Sequence, residues 1–306
     1  MRAVVQRTWG GPEVLEVAEV PRPDAGPGEV LVRVAAAGVN PADWKIRSGA
    51  VRRLAEPPFT LGLDVAGVVE AVGEGASGFR PGDAVFGNTF PPNGSYAEFV
   101  AVPQERLARV PDGLDLVQAA ALPTAVLTAW QPLVRVAGVS AGQRVLVHAA
   151  AGGIGHLAVQ IAKARGAHVI GTARAAKHAF LRGLGADELV DYTAEDFAEA
   201  VRDVDVVLDP IAGDYGPRSL RTLKPGGLLV DVRGTGPDRT EVRRLAEERG
   251  VRFVEFGFTP SGADLAEAAD AGVRAVVEEV LPLADAAKAH ALSETGRVTG
   301  KIVLAV

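Results

Sequence analysis

A glycine-rich turn between a short apolar strand and an amphipathic helix constrains the fold of this chain most strongly. Residues 145–147 are the strand (VLV), residues 149–155 are the turn (AAAGGIG), and apolar side chains then recur at helical spacing. Gly152 would let the backbone approach a diphosphate, Gly155 would let helix and strand pack closely, and the helix start offers unpaired N–H groups. Ala150 replaces the first glycine of the G-x-G-x-x-G fingerprint, so the prediction depends on the strand–turn–helix context. A dinucleotide is therefore predicted to contact Ala151, Gly152, Gly153 and Ile154; a glycine-rich helix start without a ligand is the alternative.

The residues after the second strand indicate which dinucleotide is bound. About 20 residues beyond the turn, NAD-dependent proteins commonly place an acidic residue on the ribose hydroxyls. Here the strand His168 to Thr172 is followed within five residues by Arg174 and Lys177 and by no carboxylate. The two cations can pair with the 2′-phosphate of NADPH, which a carboxylate would repel. Thr172, Arg174 and Lys177 therefore predict NADPH, with two surface charges at a helix start as the alternative.

The chain divides into a β-rich part and a part in which strands and helices alternate. Up to about residue 120, valine-rich runs are separated by glycine–proline turns, which is typical of a barrel or sandwich. From residue 121 to 258 the alternation predicts a parallel sheet with helices on both faces, including helices at 194–202 and near 218–223. The last strand, Lys301 to Val306, is expected to rejoin the first part. We predict an α/β protein with a β-rich domain of residues 1–120 plus 259–306 and a doubly wound, parallel-sheet (Rossmann) domain of residues 121–258.

The composition excludes several classes of site and partner. The 306 residues carry a net charge of −6, which argues against nucleic acid or an anionic membrane as the main partner. The absence of cysteine removes disulfides, thiolate nucleophiles and cysteine-bound metals, and it fits a reducing cytoplasm. No signal peptide begins the sequence, and no apolar stretch approaches the ~20 residues that a membrane span needs. A cytoplasmic protein that acts on a small molecule is predicted.

Short motifs are distributed over nearly the whole chain. They are residues 11–15 (GPEVL), 38–43 (GVNPAD), 61–67 (LGLDVAG), 82–87 (GDAVFG), 122–130 (LPTAVLTAW), 223–227 (LKPGG) and 300–304 (GKIVL), together with the glycine turn. In combination they resemble the medium-chain dehydrogenase/reductase superfamily, and within it the zinc-independent quinone oxidoreductases. The resemblance implies a GroES-like fold for the β-rich catalytic domain. It also implies a homodimer, for which the strand Val251 to Phe258 is the candidate edge.

Zinc-dependent members of that superfamily have metal ligands at positions where this chain has other residues. They place a cysteine at the position of Asn40 and a His-Glu pair at Leu63 and Asp64, and their cysteine-rich structural zinc lobe would follow Gly87. A catalytic zinc needs three nitrogen, sulfur or oxygen ligands from the protein. The five histidines of this chain are scattered and match no metal-binding motif. No metal site is therefore predicted.

The resemblance also implies roles for individual residues. Asn40 is expected beside the nicotinamide and Asp43, from the same motif, is its catalytic partner; a turn residue and a helix cap are the respective alternatives. Thr128 matches a threonine at the carboxamide, and Tyr192 matches a tyrosine near the adenosine phosphate. The strand ends expected to border the cofactor are at Ile211, Val232 and Phe256.

The missing metal ligands also indicate a class of substrate. Hydride delivered to a simple ketone makes an alkoxide, which needs a Lewis acid or a placed proton donor. Hydride delivered to a quinone or an α,β-unsaturated carbonyl makes a delocalised anion, and a phenol has a pKa of about 10, so hydrogen bonds suffice to hold it. NADPH-dependent reduction of quinones or enones is the leading hypothesis. Reduction of an enoyl thioester, and a dinucleotide-binding module with little turnover, stay open as alternatives.

Overall fold

The computed structural model describes residues 1–52 and 56–306 and separates them into two compact units. The first unit contains residues 1–127 and 260–306, and the second contains residues 128–259. The sequence placed the boundaries at 120/121 and 258/259. The first boundary lies later because residues 121–127 are tied to the first unit: the Thr124 N–H and hydroxyl donate to Asp64, and Asn88 donates to the Thr124 hydroxyl.

The first segment of the first unit is mainly antiparallel strands separated by glycine–proline turns. Valines alternate along the long strand at residues 29–39, and Val30, Val32 and Val34 are buried in one apolar cluster with Val65 and Val85. This period of two is what an antiparallel strand with one covered face requires. The elements in chain order are β1 (Arg2–Gln6), β2 (Leu15–Glu19), β3 (Glu29–Val39), α1 (Pro41–Arg47), β4 (Phe59–Thr60), β5 (Asp64–Val72), β6 (Ala84–Asn88), β7 (Phe99–Pro103), β8 (Leu107–Arg109), α2 (Leu116–Ala120) and α3 (Pro123–Trp130).

The second unit is a six-stranded parallel sheet with helices between its strands. Its elements are β9 (Arg144–Val147), α4 (Gly155–Ala164), β10 (His168–Thr172), α5 (His178–Gly183), β11 (Glu188–Val190), α6 (Phe197–Ala200), β12 (Val204–Asp209), α7 (Tyr215–Leu220), β13 (Leu223–Asp231), α8 (Thr240–Arg249) and β14 (Arg252–Glu255). The strand order is β11-β10-β9-β12-β13-β14. The order reverses at β9, and parallel sheets bind ligands at the carboxyl ends of the strands beside such a reversal.

Two helices of this unit differ from the sequence prediction. The helix predicted at 194–202 is only α6, because Asp191 accepts hydrogen bonds from Thr193 and holds a turn there, and Asp196 then caps the helix by accepting from the Ala198 N–H. The helix predicted near 218–223 begins earlier, at Tyr215, and ends at Leu220. It ends there because Leu223 already belongs to β13, where it pairs with Val204.

The last segment returns to the first unit, which confirms the prediction for the final strand. Its elements are α9 (Gly262–Asp270), β15 (Val277–Pro282), α10 (Ala286–Glu294) and β16 (Lys301–Ala305). β16 pairs with β15 on one side and antiparallel to β3 on the other, with Ile302 opposite Val39. The resulting sheet has the order β15-β16-β3-β5-β6-β8, and β7 also pairs with β3. Lys301 is thereby placed beside the start of α1.

Two surface features concern the predicted partners. β14 is an edge strand of the six-stranded sheet, which is the position that pairing between two copies would require; the homodimer stays a prediction. Of the helices in residues 1–52 and 56–306, none has the length and hydropathy needed to cross a membrane.

Candidate functional site

The glycine turn lies between β9 and α4, where the sequence predicts it. Ala149 adopts a left-handed backbone conformation with φ of 46°, and its carbonyl accepts a hydrogen bond of 2.9 Å from the Gly152 N–H. The N–H groups of Ala151, Gly153 and Ile154 donate to no atom of the described residues. Free N–H groups at a helix start are the donors that a diphosphate uses.

The turn is also shaped so that only glycine fits at its end. A Cβ atom on Gly155 would lie 2.3 Å from the Ala149 carbonyl oxygen and 2.7 Å from the Ala150 Cα, so α4 packs directly on the turn. This confirms the close packing that the sequence predicted for Gly155. At Gly152 a Cβ would meet the Ala149 oxygen at 3.2 Å, so the surface of the turn stays open above it. The turn therefore fits a diphosphate.

The predicted cofactor residues at the end of β10 and after it differ in exposure: Thr172 is buried, Arg174 is exposed and Lys177 is half-buried. Thr172 is fully buried, and its hydroxyl accepts a hydrogen bond of 3.3 Å from the Ala149 N–H; the side chain thus supports the turn from beneath. Arg174 is exposed, and its Nε donates to the hydroxyl of Tyr192 over 3.2 Å. Lys177 is half-buried one turn further on. The structure brings the predicted Arg174 and Tyr192 into direct contact at the ends of β10 and β11.

Three further predicted contacts lie along the same edge of this sheet. Ile211, Val232 and Phe256 follow β12, β13 and β14. The Val232 N–H donates to the carbonyl of Asp209, and the Phe256 N–H donates to the carbonyl of Asp231, at 2.9 and 2.8 Å. The backbone therefore continues the sheet pairing past the strand ends. The remaining predicted contact of this unit, Thr128 in α3, is 6% exposed.

Two carboxylates, Asp209 and Asp231, hold the segments that follow β12 and β13, and the sequence analysis missed both. Asp209 accepts hydrogen bonds from the N–H groups of Ile211 and Ala212 through Oδ1, whereas its Oδ2 is buried without a partner. Burial raises the pKa of Asp209 to about 6. Asp231 accepts from the Arg233 N–H and from Arg239 Nε, both at 2.9 Å. Each carboxylate thus fixes the first residues after its strand, where the cofactor contacts are predicted.

A buried histidine lies beneath the glycine turn and was also missed. His148 is fully buried; its Nδ1 lies 3.1 Å from the Thr172 hydroxyl and its Nε2 lies 2.9 Å from the Ser219 hydroxyl. The rings of Phe197 and Tyr215 cover it at centroid distances of 4.5 and 5.0 Å. Burial, with the nearby charge of Arg218, lowers the pKa of His148 to about 3. The imidazole is therefore neutral at physiological pH and joins β9, β10 and α7.

We expect the free energy of unfolding of His148→Asn to fall less between pH 6.5 and pH 5 than that of wild type. The unfolded chain binds a proton on this histidine below its ordinary pKa of 6.5, but the folded protein does so only near pH 3, so stability falls as pH drops between these values. One such proton changes the free energy of unfolding by about 2 kcal/mol from pH 6.5 to pH 5. Urea unfolding at the two pH values measures it. Asp43 and Asp209, whose raised pKa values act in the opposite direction, are unchanged in both proteins. Equal acid slopes in both proteins would show that His148 is not neutral in the fold.

In the first unit, Asn40 lies in a buried polar cluster with two charged side chains. Lys301 Nζ donates to the Asn40 Oδ1 atom and, over 3.2 Å, to the Val39 carbonyl. Asn40 Nδ2 in turn donates to Asp64 Oδ2 at 2.8 Å. The three side chains are at most 3% exposed. Burial raises the pKa of Asp64 and lowers that of Lys301, and the opposite charge of each partner counteracts both shifts.

Asp43 lies in the same cluster and holds the start of α1. Its Oδ2 accepts a hydrogen bond of 2.8 Å from the Asn40 N–H, whereas its Oδ1 is buried without a well-formed hydrogen bond. Burial raises the pKa of Asp43 to about 7, and the backbone hydrogen bond from Asn40 opposes the rise. Behind it, the Tyr96 hydroxyl lies 3.1 Å from His290 Nε2, and His290 Nδ1 lies 3.2 Å from Arg47. The helix cap that the sequence left open for Asp43 is thus its observed contact.

Comparison with known proteins places this chain in a family. The descriptions "Alcohol dehydrogenase GroES-like domain" and "Zinc-binding dehydrogenase" match residues 26–112 and 184–304. Over 99% of the chain and 97% of the relative, it is 35% identical to a quinone oxidoreductase of Lama guanicoe. The chain belongs to the quinone oxidoreductases of the medium-chain dehydrogenase/reductase superfamily. It is thus an oxidoreductase, and its two units are the GroES-like and Rossmann domains of that superfamily.

Other relatives and solved structures extend the comparison. A 2-haloacrylate reductase of Burkholderia is 36% identical over 99% of this chain and 98% of the relative. The chain also matches, at 36% identity over 98% of its own length, a segment that makes up only 15% of a mycocerosic acid synthase-like polyketide synthase of Mycobacterium tuberculosis. The structure of a quinone oxidoreductase from Coxiella burnetii aligns with a TM-score of 0.92, 36% identity and coverage of 100% and 99% of the two chains.

Two more solved structures concern the cofactor. An Escherichia coli quinone oxidoreductase complexed with NADPH aligns with a TM-score of 0.86 and 29% identity, with both chains fully covered. A structure described as an NAD-dependent alcohol dehydrogenase aligns with a TM-score of 0.91 and 37% identity, also over the full length of both chains. Solved structures similar to this chain are therefore described with either dinucleotide.

One matching description names zinc, and the contacts of Asp64 and Asn40 show whether their side chains are available to a catalytic zinc. Asp64 has both oxygens engaged: Oδ1 accepts from the Thr124 N–H and hydroxyl and from Asn88 Nδ2, and Oδ2 accepts from Asn40. The Lys301 ammonium lies against Asn40 Oδ1, where it would repel a metal ion. Within residues 1–52 and 56–306, no three His, Cys, Asp or Glu side chains converge as metal ligands. These residues do not fit a catalytic zinc.

Lys301 and Asp64 are functional candidates to which the sequence analysis assigned no role: it named Lys301 only as a strand start and within a motif, and Asp64 only within a motif and at a position where relatives have a metal ligand. Each lies in a strand whose neighbouring residues are buried: Ile302 to Leu304 in β16, and Val65 to Gly67 in β5. Lysine and aspartate are almost never fully buried unless they are paired. A lone cation and a lone carboxylate in two buried strands were therefore a signal that could have found this pair.

Proposed function

We propose that this protein catalyses the NADPH-dependent reduction of quinones or α,β-unsaturated carbonyl compounds. When bound, NADPH supplies a hydride from C4 of its nicotinamide ring. The substrate takes up this hydride and a proton from solvent, so that a quinone becomes a hydroquinone and an enone becomes a saturated ketone. The proposal agrees with the quinone oxidoreductase and 2-haloacrylate reductase relatives, whose named substrates are electron-poor alkenes or quinones.

The cofactor part of the proposal is supported by the second unit. The free N–H groups of Ala151, Gly153 and Ile154 would hold the diphosphate. Arg174 would pair with the 2′-phosphate, assisted by Lys177, and Tyr192 holds the Arg174 side chain in place. Thr172 acts from beneath, through the turn that it supports. Thr128, Ile211, Val232 and Phe256 stay proposed contacts of the nicotinamide end.

The observation that carries the choice of acceptor is the Lys301 ammonium between Asn40 and Asp64. At this site the groups that can stabilise a developing oxyanion are N–H donors. A delocalised phenolate or enolate needs no stronger partner, because its charge is already spread. We assign the direct contact to Asn40 and a positioning role to Asp43, because the buried Asp43 carboxylate acts on the Asn40 backbone.

A specific observation favours a second candidate, the reduction of enoyl thioesters. This observation is the similarity of nearly the whole chain to a segment of a polyketide synthase. An enoyl thioester is an α,β-unsaturated carbonyl, so the same hydride and proton additions apply. The two candidates differ only in the substituent beyond the carbonyl.

The purified protein is expected to oxidise NADPH, followed at 340 nm, when a quinone or an enone is added. Acceptors to compare are a benzoquinone, a 2-haloacrylate, a simple enone, an enoyl-CoA and, as the negative control, an unconjugated ketone. Pre-incubation with a zinc chelator is expected to leave the rate unchanged, because Asp64 already accepts from Asn40 and Asn40 already accepts from Lys301.

The outcomes separate the candidates. Turnover of enoyl-CoA at least tenfold faster than of free quinones and enones would favour the thioester reductase. Tight NADPH binding without turnover of any acceptor would make the protein a binding module. Reduction of the unconjugated ketone that a chelator abolishes would overturn the proposal.

A further inference from the structure

Lys301 is a charged side chain at a position where the fold could hold an apolar one. It begins β16, is 3% exposed, and is followed by the buried Ile302, Val303 and Leu304. Its ammonium lies 3.7 Å from Asp64 Oδ2, and Asp64 is fully buried. Burying two charges costs several kcal/mol for each ion, and apolar replacements are often equally stable or better. Stability alone therefore does not account for this pair.

Lys301 and Asp64 together fix the side chain of Asn40, which lies between their two charges. Asn40 Oδ1 accepts from Lys301, and Asn40 Nδ2 donates to Asp64 over 2.8 Å. Rotating the amide by 180° would place its NH2 group against the ammonium and its oxygen against the carboxylate, which loses both charge-assisted hydrogen bonds. The orientation of the Asn40 amide is thus determined by charge.

Asp64 cannot swing away to relax this arrangement. Its Oδ1 accepts from the Thr124 N–H at 2.8 Å, from the Thr124 hydroxyl at 2.6 Å and from Asn88 Nδ2 at 3.1 Å. Lys301 is held in turn by the Val39 carbonyl at 3.2 Å. Both charges are therefore anchored to the backbone or to neighbouring side chains independently of Asn40.

One N–H group of the Asn40 amide is left over. Nδ2 carries two hydrogens, and among the described residues it donates only to Asp64. An ammonium on the amide oxygen and a carboxylate on one N–H polarise the amide, and such chains strengthen the hydrogen bonds of their members. The free N–H is consequently a fixed and strengthened donor, suited to a carbonyl oxygen.

We infer that Lys301 and Asp64 are positioning residues that clamp the Asn40 amide, so that its free N–H donates to a carbonyl oxygen of the bound reactants. The inference rests on the proposed function, because it needs a reaction in which such an oxygen is present. Two reactants carry one: the carboxamide of the nicotinamide and the carbonyl of the substrate. The experiment below distinguishes them.

The test is a double-mutant cycle between the ion pair and Asn40. The pair is changed together, Lys301→Met with Asp64→Asn, so that no lone charge stays buried. Against wild type, kcat/KM is expected to fall on the order of 10-fold to 100-fold, somewhat less than the loss of a whole oxyanion donor. In an Asn40→Ala background the same change is expected to cost less than about 2-fold, because the donor that it positions is already gone.

A matched control and the cofactor affinity complete the design. The exposed ion pair of Arg2 and Glu98 in the same unit, changed to Met and Gln, is expected to leave the kinetics unaltered. Fluorescence titration measures the NADPH Kd of the variant in which Lys301 and Asp64 are both changed. Weaker NADPH binding than in wild type identifies the nicotinamide carboxamide as the acceptor of the Asn40 N–H. An unchanged Kd with a lower kcat identifies the substrate carbonyl. Thermal unfolding checks that every variant is folded.

The possible failures can be told apart. If wild type turns over its acceptors but the ion-pair change costs the same in both backgrounds, the pair has only a structural role and the clamp is wrong. If wild type turns over none of the acceptors, the proposed function fails and the clamp fails with it.

Discussion

Gly155→Ala is expected to weaken NADPH binding by about 10-fold to 100-fold. The new Cβ would lie 2.3 Å from a backbone oxygen of the glycine turn, and neither partner is a flexible side chain. Relief requires α4 to move away from the turn, and overpacking of this kind costs about 1–3 kcal/mol, which is roughly one to two powers of ten in affinity. The free N–H groups of Gly153 and Ile154 would move with it. Fluorescence titration with NADPH measures the change.

Gly183→Ala is the matched control for this substitution. Gly183 lies in α5 of the same unit, has ordinary helical backbone, and would have nothing within 4 Å of a new Cβ. Alanine is expected to stabilise that helix by about 0.5–1 kcal/mol and to leave NADPH affinity unchanged. If Gly155→Ala binds NADPH as tightly as wild type, the turn does not hold the diphosphate as proposed.

The second large effect concerns the choice between NADPH and NADH. Arg174→Glu is expected to weaken NADPH binding by about 10-fold to 100-fold, since a hydrogen bond to a charged group contributes about 1.5–3 kcal/mol and the new carboxylate repels the 2′-phosphate. NADH has no such phosphate, so its Kd is expected to stay within about 2-fold. Fluorescence titration of wild type and variant with each dinucleotide measures the ratio of the NADPH and NADH affinities.

Arg182→Glu controls for the change in overall charge, because it changes the net charge by the same amount at another exposed position of the same unit. It is expected to leave the ratio of the two affinities unaltered. If Arg174→Glu loses the same amount of affinity for NADPH and for NADH, Arg174 contacts a part of the cofactor that the two dinucleotides share. Wild-type preference for NADH would remove the assignment of Arg174 and Lys177 to a 2′-phosphate.

The parts of this structure that local sequence determines were predictable. The strand, glycine turn and helix at 144–164 follow from periodicity and from a glycine that no other residue can replace. The return of residues 301–305 to the first unit was also predicted. The helices at 197–200 and 215–220 were predicted with the wrong bounds, because side-chain caps and strand pairing override helix propensity at their ends.

In the candidate site, too, residues within one local motif were predictable and residues brought together by tertiary contacts were not. Asn40 and Asp43 were found because they share one short motif, whereas Lys301 lies 261 residues away in sequence from the side chain that it holds. Its register against β3, with Ile302 opposite Val39, is a tertiary fact that no local pattern contains. His148 was missed for a related reason: its partners Thr172 and Ser219 lie in other elements of the sheet and helix layers.

The pairing of β16 with β3 has a consequence for the order in which the molecule matures on the ribosome. Residues 128–259 form one continuous stretch, so all residues of the second unit are available once residue 259 has emerged. The first unit is synthesised in two pieces, residues 1–127 before the second unit and residues 260–306 after it, so β16 and Lys301 become available to its sheet only after the second unit has been made. Until residue 301 emerges, Asp64 has no counter-ion and the Asn40 amide has nothing to orient it. The buried cluster of Asn40, Asp64 and Lys301 therefore forms only after the whole second unit has been synthesised.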